Sequence, residues 1–424
     1  MVRSHHIRRT GLRGAGYFRR LGPGIVTGIA DDDPSGIATY SQVGATSRFD
    51  LLWTAVFAFP LAFAVQEATA RLGLVTGRGL AALIRERFPR AILMVAVVLV
   101  TAANTFNIGA DLGSMAAAVR ILVPIPFVIL VAVFAVGMTI VEIVVPYHRY
   151  VRVLRWLSVS VISYVVVLFV VKVDWGGVAA GTLTPSLTFT RRDIGALLAV
   201  FGTTISPYLF FWQTAEEVEE LKDNNGADIP EAEHMKAMRG DVFAGMGSGV
   251  AVMFAIMVTA ATTLSGPSGV RIETADQAAE ALKPLAGNFA GALFALGILG
   301  TGLLAVPVLA GSTAYALSET YGWREGLSLK MTQAKAFYGV IATSMLLGLA
   351  MNFAGLNPVR ALYLSAMFNG IAAGPLIVLV LLLARNKSLM NARSSGRVSQ
   401  IVVGIAAITA LVLPVLLIVA HDGA

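Results

Sequence analysis

The run Asp31-Asp32-Asp33-Pro34-Ser35-Gly36 lies within a segment, 22–45, that is otherwise apolar and of membrane length. A carboxylate at bilayer depth costs about 2.5–3.5 kcal/mol on insertion scales, so three in succession require a wet, protein-lined cavity and a cationic partner. Pro34 removes a backbone donor and blocks a continuous helix. The segment is therefore expected to break into two half-helices whose freed carbonyls face a cation. The natural guest is a metal ion.

Composition sets the class. The chain has 424 residues, 56% apolar and 13% charged, with a mean hydropathy of +0.75. That leaves too few polar side chains to coat a soluble surface, and the expectation is an all-α polytopic membrane protein embedded in the lipid bilayer. With no cysteine, disulfides and thiolate metal sites are excluded. The histidines His5, His6, His148, His234 and His421 form no HExxH or other catalytic spacing. An enzyme is not expected, and neither is a resident cofactor. The net charge of +7 is distributed between apolar spans rather than gathered on one soluble face, so topology accounts for it better than nucleic-acid binding.

Apolar runs of about 20 residues give eleven expected spans: 22–45, 50–73, 90–119, 124–145, 154–173, 193–219, 240–264, 287–318, 332–353, 358–384 and 399–420. The stretch 1–21 lacks a short apolar core with a small-residue cleavage site, so it reads as a basic cytoplasmic tail. With the N-terminus inside, the inward loops hold Arg78, Arg85, Arg87 and Arg90, then Arg149, Arg152 and Arg155, then Arg324, Lys330 and Lys335, then Arg385, Lys387, Arg393 and Arg397. The outward loops are poorer in Lys and Arg, as the positive-inside rule requires. A prokaryotic inner membrane fits the short loops. Oligomeric state is not legible, and a monomer is compatible with everything above.

A second interruption lies in the sixth span, at Gly202-Thr203-Thr204-Ile205-Ser206-Pro207-Tyr208. Pro34 and Pro207 each open a block of five expected spans, the pattern of an inverted repeat with two discontinuous helices meeting at the midplane. The division is a tail, 1–21; a first repeat, 22–175; a second, inverted repeat, 190–385; and an eleventh helix with the C-terminus, 398–424. Asp33 is the charged ligand of the expected site. Half-helix C-termini are partially negative, so the carbonyls of Ala30 and Thr203 are additional oxygens. Ser206 offers a hydroxyl, unless it bonds back to the preceding turn. Asp31 and Asp32 share a cavity with Asp33 only where the segment is unwound. Asn104, Asn107 and Asp111 lie three or four apart on the third span and so face one side, as a pathway lining or a helix–helix seam. Glu67 and Glu142 suit packing positions, and Gly245, Gly247 and Gly249 permit close helix approach.

Several motifs together carry a family resemblance. Leu21-Gly22-Pro23-Gly24, the Asp33-Pro34 pair, the run from Gln66-Glu67-Ala68-Thr69-Ala70-Arg71 to Thr76-Gly77-Arg78, and Phe294-Ala295-Leu296-Gly297-Ile298-Leu299 resemble the Nramp family of divalent-metal transporters along nearly the whole chain. The resemblance implies a LeuT-like fold, two inverted five-helix repeats plus an eleventh helix with helices 1 and 6 broken, and alternating access to a central metal site. Departures from the family pattern point to the Nramp-related magnesium transporter branch. Where manganese and iron carriers have Asp-Pro-Gly-Asn, this chain has Ser35 and Gly36 after Pro34, so Gly36 occupies the asparagine ligand's place. Ser206 stands where they have methionine, and Tyr208 where they have histidine. Asn369 falls near a glutamine of related transporters. Losing the soft thioether removes discrimination against hard cations, and the smaller residues leave room for a magnesium ion to keep several waters.

The same comparison bears on coupling. In proton-coupled members a glutamate follows the third-helix aspartate by three residues, whereas here Asp111 is followed by Ser114. Tyr208 titrates near 10 in its ordinary state and does not cycle at neutral pH. Uncoupled uptake driven by the membrane potential is expected, a divalent ion gaining about 2.3 kcal/mol per charge per 100 mV. Three readings remain open on residues alone: a Mg2+-preferring divalent-cation transporter that also carries Mn2+, a proton-coupled Mn2+ or Fe2+ importer, and an amino-acid or other organic-solute carrier of the same fold. The aspartate triplet argues against an anionic solute.

Overall fold

A computed structural model describes residues 23–145, 162–223, 231–265, 271–390 and 393–421. The basic tail 1–21, the loop arginines Arg149, Arg152 and Arg155, and the first half of the span 154–173 lie outside the described residues. The main helices are α1 (Pro23–Asp31), α2 (Pro34–Ser47), α3 (Trp53–Thr76), α4 (Leu80–Arg87), α5 (Arg90–Arg120), α6 (Phe127–Val144), α7 (Ser163–Val170) and α8 (Trp175–Leu183). They continue as α9 (Arg191–Thr204), α10 (Pro207–Asp223), α11 (Glu231–Thr263), α12 (Ala290–Tyr321), α13 (Lys335–Met351), α14 (Pro358–Arg385) and α15 (Arg397–Val419). Eight helical stretches among the described residues are long and apolar enough to cross a membrane.

Helix ends follow local chemistry. Gly77 (φ 62°) and Gly322 (φ 72°) close α3 and α12 in the left-handed conformation that glycine adopts without penalty. Asn357 caps α14, accepting from the Arg360 amide, with Pro358 at the first helical position. The expected span 240–264 is one end of a longer helix, since α11 begins at Glu231 and carries helix-forming polar residues beyond the apolar part. The short helices α4 and α8 fall in stretches taken as loops.

Both expected breaks are present. Residues 32–33 separate α1 from α2, and residues 205–206 separate α9 from α10. Proline alone does not cause this, because Pro60, Pro307, Pro375 and Pro414 sit inside helices that continue through them. At the first break Asp33 is extended (φ −67°, ψ 172°) and caps α2 through its own carboxylate. At that break a local side-chain acceptor accompanies the restart at Pro34.

Packing brings the two breaks together. The halves α1 and α2 both lie along α11, α9 lies along α14, α10 along α3, and α5 against α12 and α14. Close contact with α11 depends on Gly24 and Gly28 meeting Gly245 and Gly249. A Cβ on Gly28 would stand 2.2 Å from the Gly245 carbonyl carbon, and one on Gly245 would stand 2.1 Å from the Gly24 oxygen. Gly247 instead faces the ring of Phe59 on α3. Asp241 of α11 accepts from the Gly24 amide at 2.5 Å and the Ile25 amide at 3.3 Å, satisfying donors at the start of α1.

Candidate functional site

Ala30 and Thr203 each stand four residues before a proline, so the amide that would take their carbonyl in a continuous helix does not exist. Two backbone oxygens are thereby freed at the broken ends of α1 and α9. The Ala30 oxygen accepts from the Tyr208 hydroxyl at 2.9 Å, and the Thr203 oxygen from the Ser206 hydroxyl at 3.0 Å. Each keeps a second lone pair.

Asp33, at the first break, is 1% exposed. Its Oδ1 accepts from the Ser35 hydroxyl and the Gly36 amide, both at 2.7 Å. Its Oδ2 accepts from Asn107 Nδ2 at 2.9 Å, and the same amide nitrogen donates to Asp111 Oδ2 at 2.9 Å. Asn369 Nδ2 of α14 completes the chain by donating to Asn107 Oδ1 at 3.0 Å. Thr203 reaches the cluster through its hydroxyl, 3.5 Å from that of Ser35. Asp111 Oδ1, Asn369 Oδ1 and Asp31 Oδ1 are buried with no hydrogen-bond partner, so unused acceptors remain around the carboxylate.

The sequence-expected residues do not all converge. Asn104 turns away to α12, donating to the Leu309 carbonyl at 3.2 Å and the Thr313 hydroxyl at 3.0 Å, which makes it part of a helix–helix seam. It stands three positions before Asn107, about 60° away around the helix, enough for a different neighbour to claim it. Asp32 lies toward α11, its oxygens 3.6 and 3.8 Å from where a Cβ on Gly249 would stand. Ser206 also donates back to the Gly202 carbonyl at 2.9 Å; its hydroxyl proton is directed to the preceding turn. Gly36 contributes an amide and space rather than a ligand oxygen, since a Cβ there would crowd Thr203 Oγ1 and the Tyr40 ring at 3.3 Å.

Other polar residues at the breaks went unmarked in the sequence. Tyr40 shares a hydrogen bond with Thr204 at 3.1 Å across the two breaks. Beyond the site on the α1 side, Thr27 donates to Gln213 Oε1 at 2.5 Å, Gln66 Nε2 lies 3.3 Å from the same oxygen, and Gln213 Nε2 donates to Glu217 at 2.8 Å. These four residues are buried. The available signal was the presence of uncharged amides and a glutamate in apolar spans. On the α2 side a cavity of about 600 Å³ reaches Ala38 and Met367, near Pro34 and Asn369 respectively.

Glu67, itself buried, pairs with Arg71 and lies 3.4 Å from the exposed Arg239, an ion cluster consistent with a packing role. Glu142 is buried in α6 with neither carboxylate oxygen hydrogen-bonded. Among the described residues no three His, Cys, Asp or Glu side chains converge on a metal position. Any cation at the breaks would therefore be held by no more than two such carboxylates together with neutral oxygens, a donor set suited to hard cations.

Comparison with known proteins bears on the family and the fold. The family described as "Natural resistance-associated macrophage protein-like" matches residues 24–420. The divalent metal cation transporter MntH of Erwinia tasmaniensis is 29% identical over 68% of this chain and 68% of its own length. That of Acidiphilium cryptum is 28% identical over 97% of this chain and 92% of its own. Among solved structures, an Eremococcus coleocola manganese transporter is similar with a TM-score of 0.78 at 17% identity, covering 95% of this chain and 87% of that one. Mhp1, a nucleobase-cation-symport-1 family transporter, gives 0.60 at 14% identity over 94% and 92%. The fold is thus the expected all-α, polytopic, LeuT-like one with the first and sixth spans broken.

Proposed function

Because the chain belongs to the Nramp family, we propose that it is a secondary transporter importing divalent cations by alternating access. Mg2+ is the preferred ion, Mn2+ is also carried, and each moves partly hydrated without proton coupling. The observation that carries this reading is the buried Asp33 carboxylate at the first break, together with the Ala30 and Thr203 carbonyls that proline has released at the two broken helix ends. Asp33 binds the ion directly or through one water; the two carbonyls add oxygens. Tyr208 and Ser206 hold those carbonyls in place, and Asn107 and Asn369 orient Asp33 and complete the polar wall. Asp31 draws hydrated ions to the break, with Asp32 beside it.

Residues 22–175 and 190–385 form the two inverted repeats that rock against each other, with 398–424 outside them. The protein works in a prokaryotic inner membrane with its N-terminus in the cytoplasm, so ions arrive from the α2 side. The absence of a sulfur ligand at position 206 supports magnesium, which accepts oxygen ligands and gives up water reluctantly.

A second reading, a proton-coupled Mn2+ importer, is favoured by one observation: Asn107 joins two buried carboxylates, Asp33 and Asp111, one of which could carry a proton. The manganese transport named for the Eremococcus coleocola neighbour fits it. Uptake of Mg2+, Mn2+ and Ca2+ into vesicles with a pH indicator inside separates the two. Mg2+ uptake with no change of internal pH supports the first; acidification that requires the metal supports the second. Failure to take up any of the three ions overturns both.

A further inference from the structure

The α2-side cavity is lined by four arginines, Arg191, Arg192, Arg271 and Arg360, against one glutamate, Glu273. On the transport reading above, that surplus of positive charge lies on the side from which a cation approaches Asp33. It is also concentrated where the sequence is otherwise sparing with basic residues, since these arginines come from three separate outward stretches and converge only in the fold.

The site is built rather than incidental. Arg271 belongs to a loop fixed across the mouth, where the Ile272 amide donates to Gln42 of α2 at 2.9 Å and Asn357 Nδ2 donates to the Glu273 carbonyl at 2.9 Å. Arg191 donates to the Ala420 carbonyl at 3.1 Å, and Arg192 pairs with Asp193 at 3.1 Å. Among the described residues the guanidinium groups of Arg271 and Arg360 make no ion pair. The N-terminal ends of α9 and α14 open on the same cavity, adding the positive ends of two helix dipoles. Planar guanidinium forks match phosphate and carboxylate oxygens in paired hydrogen bonds.

We infer that this cavity binds a polyvalent oxyanion, a phosphate or a di- or tricarboxylate, whose charge offsets the arginines and lets a divalent cation pass to Asp33. The anion site stands on the cavity alone; its service to the cation rests on the transport reading above.

Binding is therefore measured apart from transport. The full chain, purified in neutral detergent, is titrated with citrate and with phosphate at constant ionic strength, following its thermal midpoint; a ligand that binds only the folded state raises the midpoint as its concentration exceeds Kd. The natural chain should show a saturable rise, and the double variant R271Q/R360Q should bind at least about tenfold more weakly, since two charge-assisted contacts are lost. Uptake of Mn2+ into neutral-lipid vesicles, at matched free Mn2+, should be raised severalfold by the oxyanion in the natural chain and not in the variant. No rise with either anion, or an equal rise in the variant, overturns the site. A midpoint that responds only to vesicles containing phosphatidylglycerol overturns it in favour of a lipid headgroup. Oxyanion binding lost in the variant, with Mn2+ uptake indifferent to the anion, upholds the site and removes its role in transport.

Discussion

Replacing Asp33 by asparagine separates the charge of the site from its shape. Asparagine caps a helix as well as aspartate does, so α2 keeps its start, and one side-chain oxygen remains for the Ser35 hydroxyl and the Gly36 amide, each now 2.7 Å away. What disappears is a negative charge and the acceptor facing Asn107 at 2.9 Å. A divalent ion held about 4 Å from a unit charge, through one water, gains about 8 kcal/mol at an effective dielectric constant of about 20. Dehydration of the ion and of the carboxylate offsets most of that gain. If about one third survives, the lost charge still weakens binding roughly a hundredfold. The assay is the initial rate of Mg2+ and Mn2+ uptake into vesicles over a concentration series, with the thermal midpoint in detergent as the control for folding. The midpoint should move little, because losing the charge-assisted bond to Asn107, about 1.5–3 kcal/mol, is offset by no longer burying a carboxylate. A half-saturating concentration within about threefold of the natural chain's, in a folded variant, refutes the assignment of Asp33 as the charged ligand.

Three further outcomes follow from the same structure. Gly28→Ala places a Cβ 2.2 Å from the Gly245 carbonyl carbon and must push α1 from α11, lowering stability by about 1–3 kcal/mol; an unchanged thermal midpoint contradicts the close approach. Ser206→Met adds a thioether beside the freed Thr203 carbonyl and should raise Cd2+ and Mn2+ competition against Mg2+ uptake, whereas an unchanged selectivity series would show that this position does not face the ion. Glu325 lies in the loop after α12 with Oε2 buried and unbonded, and burial, then the neighbouring Glu319 carboxylate, pushes it from 4.5 up to about 8. The folded chain then binds more protons than the unfolded one between those values, so its stability falls as pH rises from about 4.5 through about 8. Glu325→Gln should flatten that part of the midpoint–pH profile, and an identical slope in the variant contradicts the shift.

Much of the site was legible because its causes are local. Pro34 and Pro207 fix where hydrogen-bond ladders end, and the carbonyls they release are identified by counting four residues back. Asp33 could be named for the same reason, as a carboxylate directly before a helix-starting proline stands at the cap position. Asn104, Asn107 and Asp111 shared a face by spacing, but the face was wide enough for two neighbours: α12 took Asn104, while Asp33 and Asn369 met at Asn107. Ser206 had two possible partners for its hydroxyl, and only the folded turn chose the Gly202 and Thr203 carbonyls. The helices α4 and α8 escaped notice because short, polar or glycine-rich stretches carry no strong periodic signal.

The sequence by itself determined a helical membrane protein with two broken spans and an acidic centre, since apolar length, proline position and buried charge each act on neighbouring residues. Only the tertiary structure decided which polar groups meet. The Asn107 bridge between Asp33 and Asp111, the glycine contact of α1 with α11, and the four arginines around one mouth each join residues distant in the chain. Their proximity is set by how the helices pack, for which local spacing holds no information.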